Sequence, residues 1–336
     1  MKKYKFSYEI LDEKLDFIKP IYPVSCSIDY DSLASLKLGI SATVKDDDFN
    51  YNDKHIRIRS DGEVFATALI STSSRDRQSK TRTLTCYDRC MMLKQDKLTD
   101  SVIMPAYTSI VKYIDDMLSG YDNAFKLIDE NAANKADIYF QIGTPKIEVI
   151  NYLLKMINYS SLLTNEYGVF YAQKYVLPSE RQTQITYTDD KDSSIIYRDV
   201  KQELDLFNVP NVFVRVTNNS AIDPPIKAVY ENNNPDSIVS TTVRNRSIVD
   251  FREVDNIVDS DTLFAITKKE AYQASDIYEH IDIQTAINTK HWYLNCIFLN
   301  LKTYNITDRF IETNWSIDDL RAGSKMKHRL RRVISV

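Results

Sequence analysis

At 336 residues, 43% apolar and 27% charged, the chain has the makeup of an ordinary folded protein with room for two or three compact units, which argues against a disordered or membrane-spanning class. Its 43 basic and 47 acidic residues leave a net charge of -4, against a globally basic nucleic-acid binder. Six glycines, with no G-x-G-x-x-G and no P-loop, exclude the common phosphate-cradling and dinucleotide folds.

The first hundred residues read as strands: Lys3 to Ile10, Val24 to Tyr30, Leu36 to Val44, Lys54 to Ser60, Glu63 to Ser73 and Arg82 to Met91. In KHIRIRSDGEVFATALI, His55, Arg57 and Arg59 alternate with Ile56 and Ile58, and Ser60-Asp61-Gly62 supplies a tight hairpin. This pattern predicts an antiparallel meander, a small barrel or sandwich. The N-terminal MKKYKFSYEILDEKLDF breaks its hydrophobes with charges and reads as neither signal peptide nor spanning helix, so the chain is expected to be made and folded in cytoplasm.

Helical spacing takes over after Leu98. Ile110, Val111, Ile114 and Leu118 share one face of Tyr107 to Leu118, with Ser119-Gly120 as the stop. Pro145 to Asn158 repeats the design, with Thr144 as N-cap and Ile147, Ile150, Leu154 and Ile157 as the buried stripe. Strands follow at Ser161 to Asn165, Val169 to Val176 and Gln184 to Tyr187. Val200 to Phe207 reads as a short helix or turn, and Ile226 to Tyr230 as a partner for Asn211 to Val216. Ser260 to Ile281 is expected to be the longest helix, with Leu263, Ile266, Ala274, Ile277 and Ile281 apolar. Trp292 to Leu299, Arg309 to Trp315 and Lys327 to Ile334 close the chain as strands.

Candidate chemistry is sparse. Cys26, Cys86, Cys90 and Cys296 are too few for a disulfide framework, and the C-x3-C of Cys86 and Cys90 lacks a second ligand pair, so no metal site is expected. His55, His280, His291 and His328 sit apart, none beside a nucleophile, and G-x-S-x-G is absent. Asp276, Glu279 and His280 share a helical face in the predicted long helix, a common arrangement on solvated helices. A cell-wall-degrading enzyme needs only two carboxylates, and 47 acidic residues always supply a pair, so that reading rests on nothing specific. The tail from Arg321 to Val336 carries Arg321, Lys325, Lys327, Arg329, Arg331 and Arg332 without an acidic residue. With Tyr293 and Trp315 it forms the basis for a second alternative, a nucleic-acid-binding module.

Two stretches resemble the hub proteins of contractile phage tails and related bacteriocins, the XkdQ-like group. One is TLTCYDRCMMLKQDKL, Thr83 to Leu98; the other is ETNWSIDDLRAGSKMKHRLRRVISV, Glu312 to Val336, with Trp315, Gly323 and Met326-x-His328 before an Arg-rich strand. The order of elements follows that layout across essentially the whole chain. The resemblance implies an α+β, β-rich fold with two tube-like antiparallel β-barrel domains and intervening helices. Residues 1–98 would form the first barrel, 99–200 a helix and strand insert, and 201–336 the second tube-like domain with a long helix at 260–281. It also implies a non-enzymatic subunit without cofactors, forming a homotrimer that adapts a sixfold tail tube to a threefold spike. Partners would be the tail spike, the tail tube and tape-measure proteins and other baseplate proteins, with no membrane insertion and no specific nucleic acid. The setting would be the tail of a virion, or a bacteriocin baseplate, assembled in the bacterial cytoplasm. Trp315, Met326, His328 and Arg331 are the expected subunit-interface residues, and most of the basic run is expected to face protein or solvent, because a DNA-passing channel lined with it would hold phosphates.

Overall fold

The computed structural model describes residues 4–121, 132–190, 196–204, 207–218, 224–254, 257, 259–275, 279–321 and 323–332. Seven strands come first: β1 (Phe6–Leu11), β2 (Phe17–Ile21), β3 (Ser25–Asp31), β4 (Leu38–Lys45), β5 (His55–Ser60), β6 (Glu63–Asp76) and β7 (Thr81–Tyr87). Alternation drives them. In β4 and β7 every second side chain is buried, so one face of each strand is apolar and the other solvated. The turn between β5 and β6 is Asp61-Gly62, with φ of 52° and 91°, the two positive values that let a two-residue loop follow the twist of the flanking strands.

A helical unit follows: α1 (Cys90–Gln95), β8 (Val102–Met104), α2 (Ile110–Leu118), β9 (Ile138–Phe140), α3 (Lys146–Met156), β10 (Leu163–Thr164) and β11 (Phe170–Tyr171). Ser109 caps α2 by accepting from the Lys112 amide, and Ile110, Ile114 and Leu118 are buried as their spacing predicts. Ile147, Ile150 and Leu154 face them from α3 in one core.

The rest is mixed: β12 (Ile185–Thr188), β13 (Ile196–Leu204), β14 (Val212–Thr217), β15 (Lys227–Glu231), α4 (Thr241–Arg244), β16 (Val249–Val254), α5 (Ser260–Ser275), β17 (Glu279–Ala286), β18 (Cys296–Leu301), β19 (Ile306–Ile317) and β20 (Lys325–Arg332). β14 pairs with β15 as expected, and also runs parallel to β16. Leu263 and Ile266 of α5 pack on that small sheet beside Ala228 and Ile257. The fully buried Arg215 of β14 reaches Glu270 of α5 at 2.6 Å and Asp250 of β16 at 3.2 Å.

Two element assignments from sequence are corrected. The segment ending at Leu204 is strand β13, paired with β17, not a helix or turn. The long helix stops at Ser275, and a strand runs from Glu279; Ile281 and Ile283 alternate with His280, Asp282 and Gln284, a period-two pattern that pairs with β20 and overrides the helical reading. Ile277 lies outside the described residues. No helix among the described residues is long and apolar enough to cross a membrane.

The large sheet also departs from two closed barrels. Among the described residues its strands run in one open path, β13-β17-β20-β19-β3-β4-β7-β6-β5-β1-β2, with β12 joined through β18 to β19. The reason is β19. Its first half pairs with β18 and its last four residues with β3, so one twelve-residue strand belongs to both lobes. Trp315, Ile317, Leu320 and Met326, from the end of the chain, therefore complete a core whose other buried residues come from the first ninety. Ile281, Leu299, Phe310 and Leu330 form a second core next to it.

Candidate functional site

The most chemically distinctive place in the molecule lies where these two cores meet. β20 alternates strictly: Met326, His328 and Leu330 are buried, while Lys325, Lys327 and Arg329 are exposed. β17 presents Ile281, Ile283 and Thr285 inward on one side, with Ile283 opposite His328. On the other side, β19 carries a bulge at Thr313, so that Glu312 faces Leu330 and Trp315 faces His328. One extra residue reverses the inward parity of the strand. Phe310 and Glu312 point in before the bulge, Trp315 and Ile317 after it.

Glu312 thereby enters the interior at 0% exposure. Its Oε2 lies 2.6 Å from Nδ1 of His291, and its Oε1 lies 2.6 Å from Nδ1 of His328. The outer ring nitrogens are held too: His291 Nε2 is 2.8 Å from the Tyr187 hydroxyl, and His328 Nε2 is 2.7 Å from Thr285 Oγ1. The Tyr187 ring stacks on His291 with centroids 5.9 Å apart, and the hydroxyl accepts from Asn288 Nδ2. His291 arrives from the loop between β17 and β18, so this loop and four strands contribute.

Burial pushes the Glu312 carboxyl toward higher pKa, but the two imidazoles outweigh it and hold the group below its usual range. For His328 burial dominates, lowering its proton affinity despite the neighbouring carboxylate. With both histidines and Glu312 at most 2% exposed, none of the three can touch a substrate from solution. What the arrangement can do is hold a proton or a cation and fix the junction of the lobes.

The outer face of β20 is charged but not bare. Arg329 makes two bonds to Asp282, at 3.0 and 3.2 Å. Lys327 pairs with Asp318, Arg332 with Asp308 and Arg321 with Asp319. Tertiary pairing supplies the acidic partners that the local sequence lacks, which removes the uncompensated basic stripe that a phosphate backbone needs. Beside it lies a depression of about 560 Å³ lined by Asp31, His280, Asp282, Asn314, Lys327 and Arg331.

Of the residues expected at a subunit contact, Trp315 and Met326 are at 0% exposure inside the chain's own first core. The Trp315 ring stacks on Tyr30 at 5.5 Å and 3°, and on Phe65 at 5.9 Å. His328 belongs to the buried cluster, and Arg331 is half-exposed at the rim of the depression. Cys86 sits in the first core and Cys90 in the helical core, and burial raises both thiols. His280 is on strand β17 rather than on a helix; Asp276 lies outside the described residues. Sequence reasoning missed His291, Glu312, Tyr187 and Thr285. The one local clue is His328 itself, sharing its strand face with Met326 and Leu330.

No protein-family model and no curated protein matches the sequence. Solved structures do. A tail protein from Neisseria meningitidis MC58 is similar over 97% of this chain and 96% of its own, with a TM-score of 0.70 at 12% identity. The 43 kDa tail protein of prophage MuSo2 from Shewanella oneidensis is similar over 98% of both chains, with a TM-score of 0.67 at 9% identity. The E. coli c3393 protein, a type VI secretion component described as structurally similar to the T4 tail proteins gp27 and gp5, is similar over 98% of this chain and 77% of its own, with a TM-score of 0.53 at 9% identity. The chain has the fold of phage tail proteins.

Proposed function

We propose that the chain is a structural subunit of a phage-type tail or baseplate, a hub that trimerises to join a sixfold tube to a threefold spike. The observation that carries this reading is the end-to-end correspondence with tail proteins, in which neither chain has a large unmatched part. The described relatives are tail proteins and a secretion component rather than enzymes, which supports a non-catalytic role.

The open sheet fits such an assembly. β2 and β13 end the strand path, and each has one edge unpaired within the described residues. Phe17, Tyr22 and Val24 stand exposed along the β2 end. Unpaired strand edges invite pairing with another chain, and a closed ring of copies removes them. Two tube-like lobes, from residues 1–98 and 201–336, would give six similar units per trimer. Arg331 and the depression beside it remain for contact with a neighbouring copy, the spike, the tube or a tape-measure protein.

The test is the mass of the full chain in solution, alone and mixed with the products of the adjacent genes, by light scattering and native mass spectrometry. The expected result is three copies of the 39.0 kDa chain in at least the mixture. A single copy in both samples refutes the reading.

A further inference from the structure

The cluster around Glu312 has a charge problem that the described residues leave open. Among the described ion pairs none joins Glu312 to a lysine or arginine; its partners are the imidazoles of His291 and His328. Its carboxyl is at 0% exposure, where a negative charge is strongly disfavoured without a compensating positive centre.

The positions of the hydrogen-bonding partners point the same way. Thr285 Oγ1 donates to the Ala286 carbonyl at 2.8 Å, which leaves its lone pairs to accept from Nε2 of His328 at 2.7 Å. In a neutral ring that arrangement turns the Nδ1 lone pair of His328 toward Glu312 Oε1, 2.6 Å away. Two lone pairs facing each other need a positive centre between them. The Tyr187 oxygen, accepting from Asn288, is placed to receive Nε2–H of His291 in the same fashion.

We propose that His291, His328 and Glu312 bind a divalent transition-metal ion of the zinc class, through the two Nδ1 atoms and both carboxylate oxygens. The three residues offer ligand atoms that all lie within 4.8 Å of one another. Bonds of about 2.0–2.2 Å to zinc at tetrahedral angles place neighbouring donors about 3.3 Å or more apart, so the present 2.6 Å spacings open by about 0.7 Å on loading. Tyr187 and Thr285 are the outer partners that fix ring orientation in metal sites. Imidazole and carboxylate donors suit zinc among the available ions. Every donor comes from the protein and the site is closed to solvent, so the ion is structural. It ties β19, β20 and the loop carrying His291 together at the seam where Trp315 of the first core faces His328.

Metal analysis of the full chain, expressed in zinc-supplemented medium and desalted without chelator, tests the idea. The expected content is about one equivalent, falling below about a tenth in Glu312→Gln. Growth with cobalt is expected to give the visible absorption bands of a four-coordinate nitrogen and oxygen site, absent from that variant. Because Glu312→Gln disturbs a buried network, the wild-type readings decide independently of whether it folds. Wild-type protein without metal and without cobalt bands overturns the proposal, leaving protons alone to hold the cluster. Equal metal in wild type and in a folded Glu312→Gln or His291→Asn also overturns it, by placing the ion elsewhere.

Discussion

Trp315→Ala separates a chain whose last strands merely follow its first lobe from one in which they complete it. The indole is at 0% exposure, stacked on Tyr30 of β3 and on Phe65 of β6, residues 285 and 250 positions away in sequence. Truncating a buried Trp to Ala costs about 3–5 kcal/mol through lost transfer energy and the cavity left behind. Loss of the ring contacts, each worth about 0.5–1.5 kcal/mol, places this case toward the upper half of that range. With a urea dependence of about 3 kcal/mol per molar, the unfolding midpoint moves down by about 1 M or more. Circular dichroism reads the midpoint, and hydrogen exchange locates the damage. Protection is expected to fall in β3 and β4 as well as in β19, while α5, which packs in a separate core, keeps its own. Phe251→Ala, at a side chain 59% exposed, serves as a control and is expected within about 0.5 kcal/mol of wild type. A cost for Trp315→Ala below about 1 kcal/mol, or exchange changes confined to β19 and β20, refutes the shared core.

Gly168 and Gly143 both take positive φ, at 83° and 84°, but only at Gly168 does an added Cβ meet neighbours, 3.2 Å from Arg89 Cδ and 3.3 Å from Thr67 Cγ2. Gly168→Ala is therefore expected to cost about 1–3 kcal/mol and more than Gly143→Ala in thermal melts; equal costs would mean that backbone strain alone matters. His55 tests pH dependence. Burial, then the nearby Arg89, lowers its pKa to about 4, while Nδ1 lies 3.0 Å from the Asp12 carbonyl. In the unfolded chain it titrates near its ordinary value of about 6.5, so between those values the unfolded chain holds a proton that the folded chain does not. Stability accordingly falls as pH drops from about 6.5 to about 4, by an amount on the order of 3 kcal/mol. Urea midpoints across that window should slope less steeply in His55→Asn than in wild type; parallel slopes would show that His55 contributes nothing.

Six of the seven strands of the first lobe were legible because most have one apolar and one polar face, a signal carried by near neighbours; β2, with only Ile21 buried, carries no such alternation and was missed. Asp61-Gly62 fixed the lobe's hairpin for the same local reason, two residues able to take positive φ. The helical faces of α2 and α3 were equally plain, with Ile110, Ile114, Ile147 and Ile150 buried as spaced. The end of α5 was not. Ile277 and Ile281 satisfy a helical stripe as well as a strand, and the choice for Ile281 was made by pairing with Leu330, about fifty residues later.

The buried cluster was illegible for a different reason. His291, Glu312 and His328 have no motif spacing, and a glutamate in a strand of mixed polarity reads as solvated. It faces inward because a bulge at Thr313 sets which residues of β19 share a face, a feature of register between strands. The same holds for the basic tail, whose charges looked unopposed until folding set Asp282, Asp308 and Asp318 against them.

Taken alone, the amino-acid order determined what is local: strand and helix periods, the tight turn, the poverty of glycine that rules out nucleotide loops, and a layout similar to tail hubs. The tertiary structure decided what depends on partners far apart in the chain. β19 joins two lobes into one open sheet, Trp315 fills a core begun three hundred residues earlier by Ile10, and a carboxylate meets two imidazoles in the interior. Hydrophobic periodicity is a property of neighbours along the chain, whereas register and charge pairing arise only when distant segments are brought side by side.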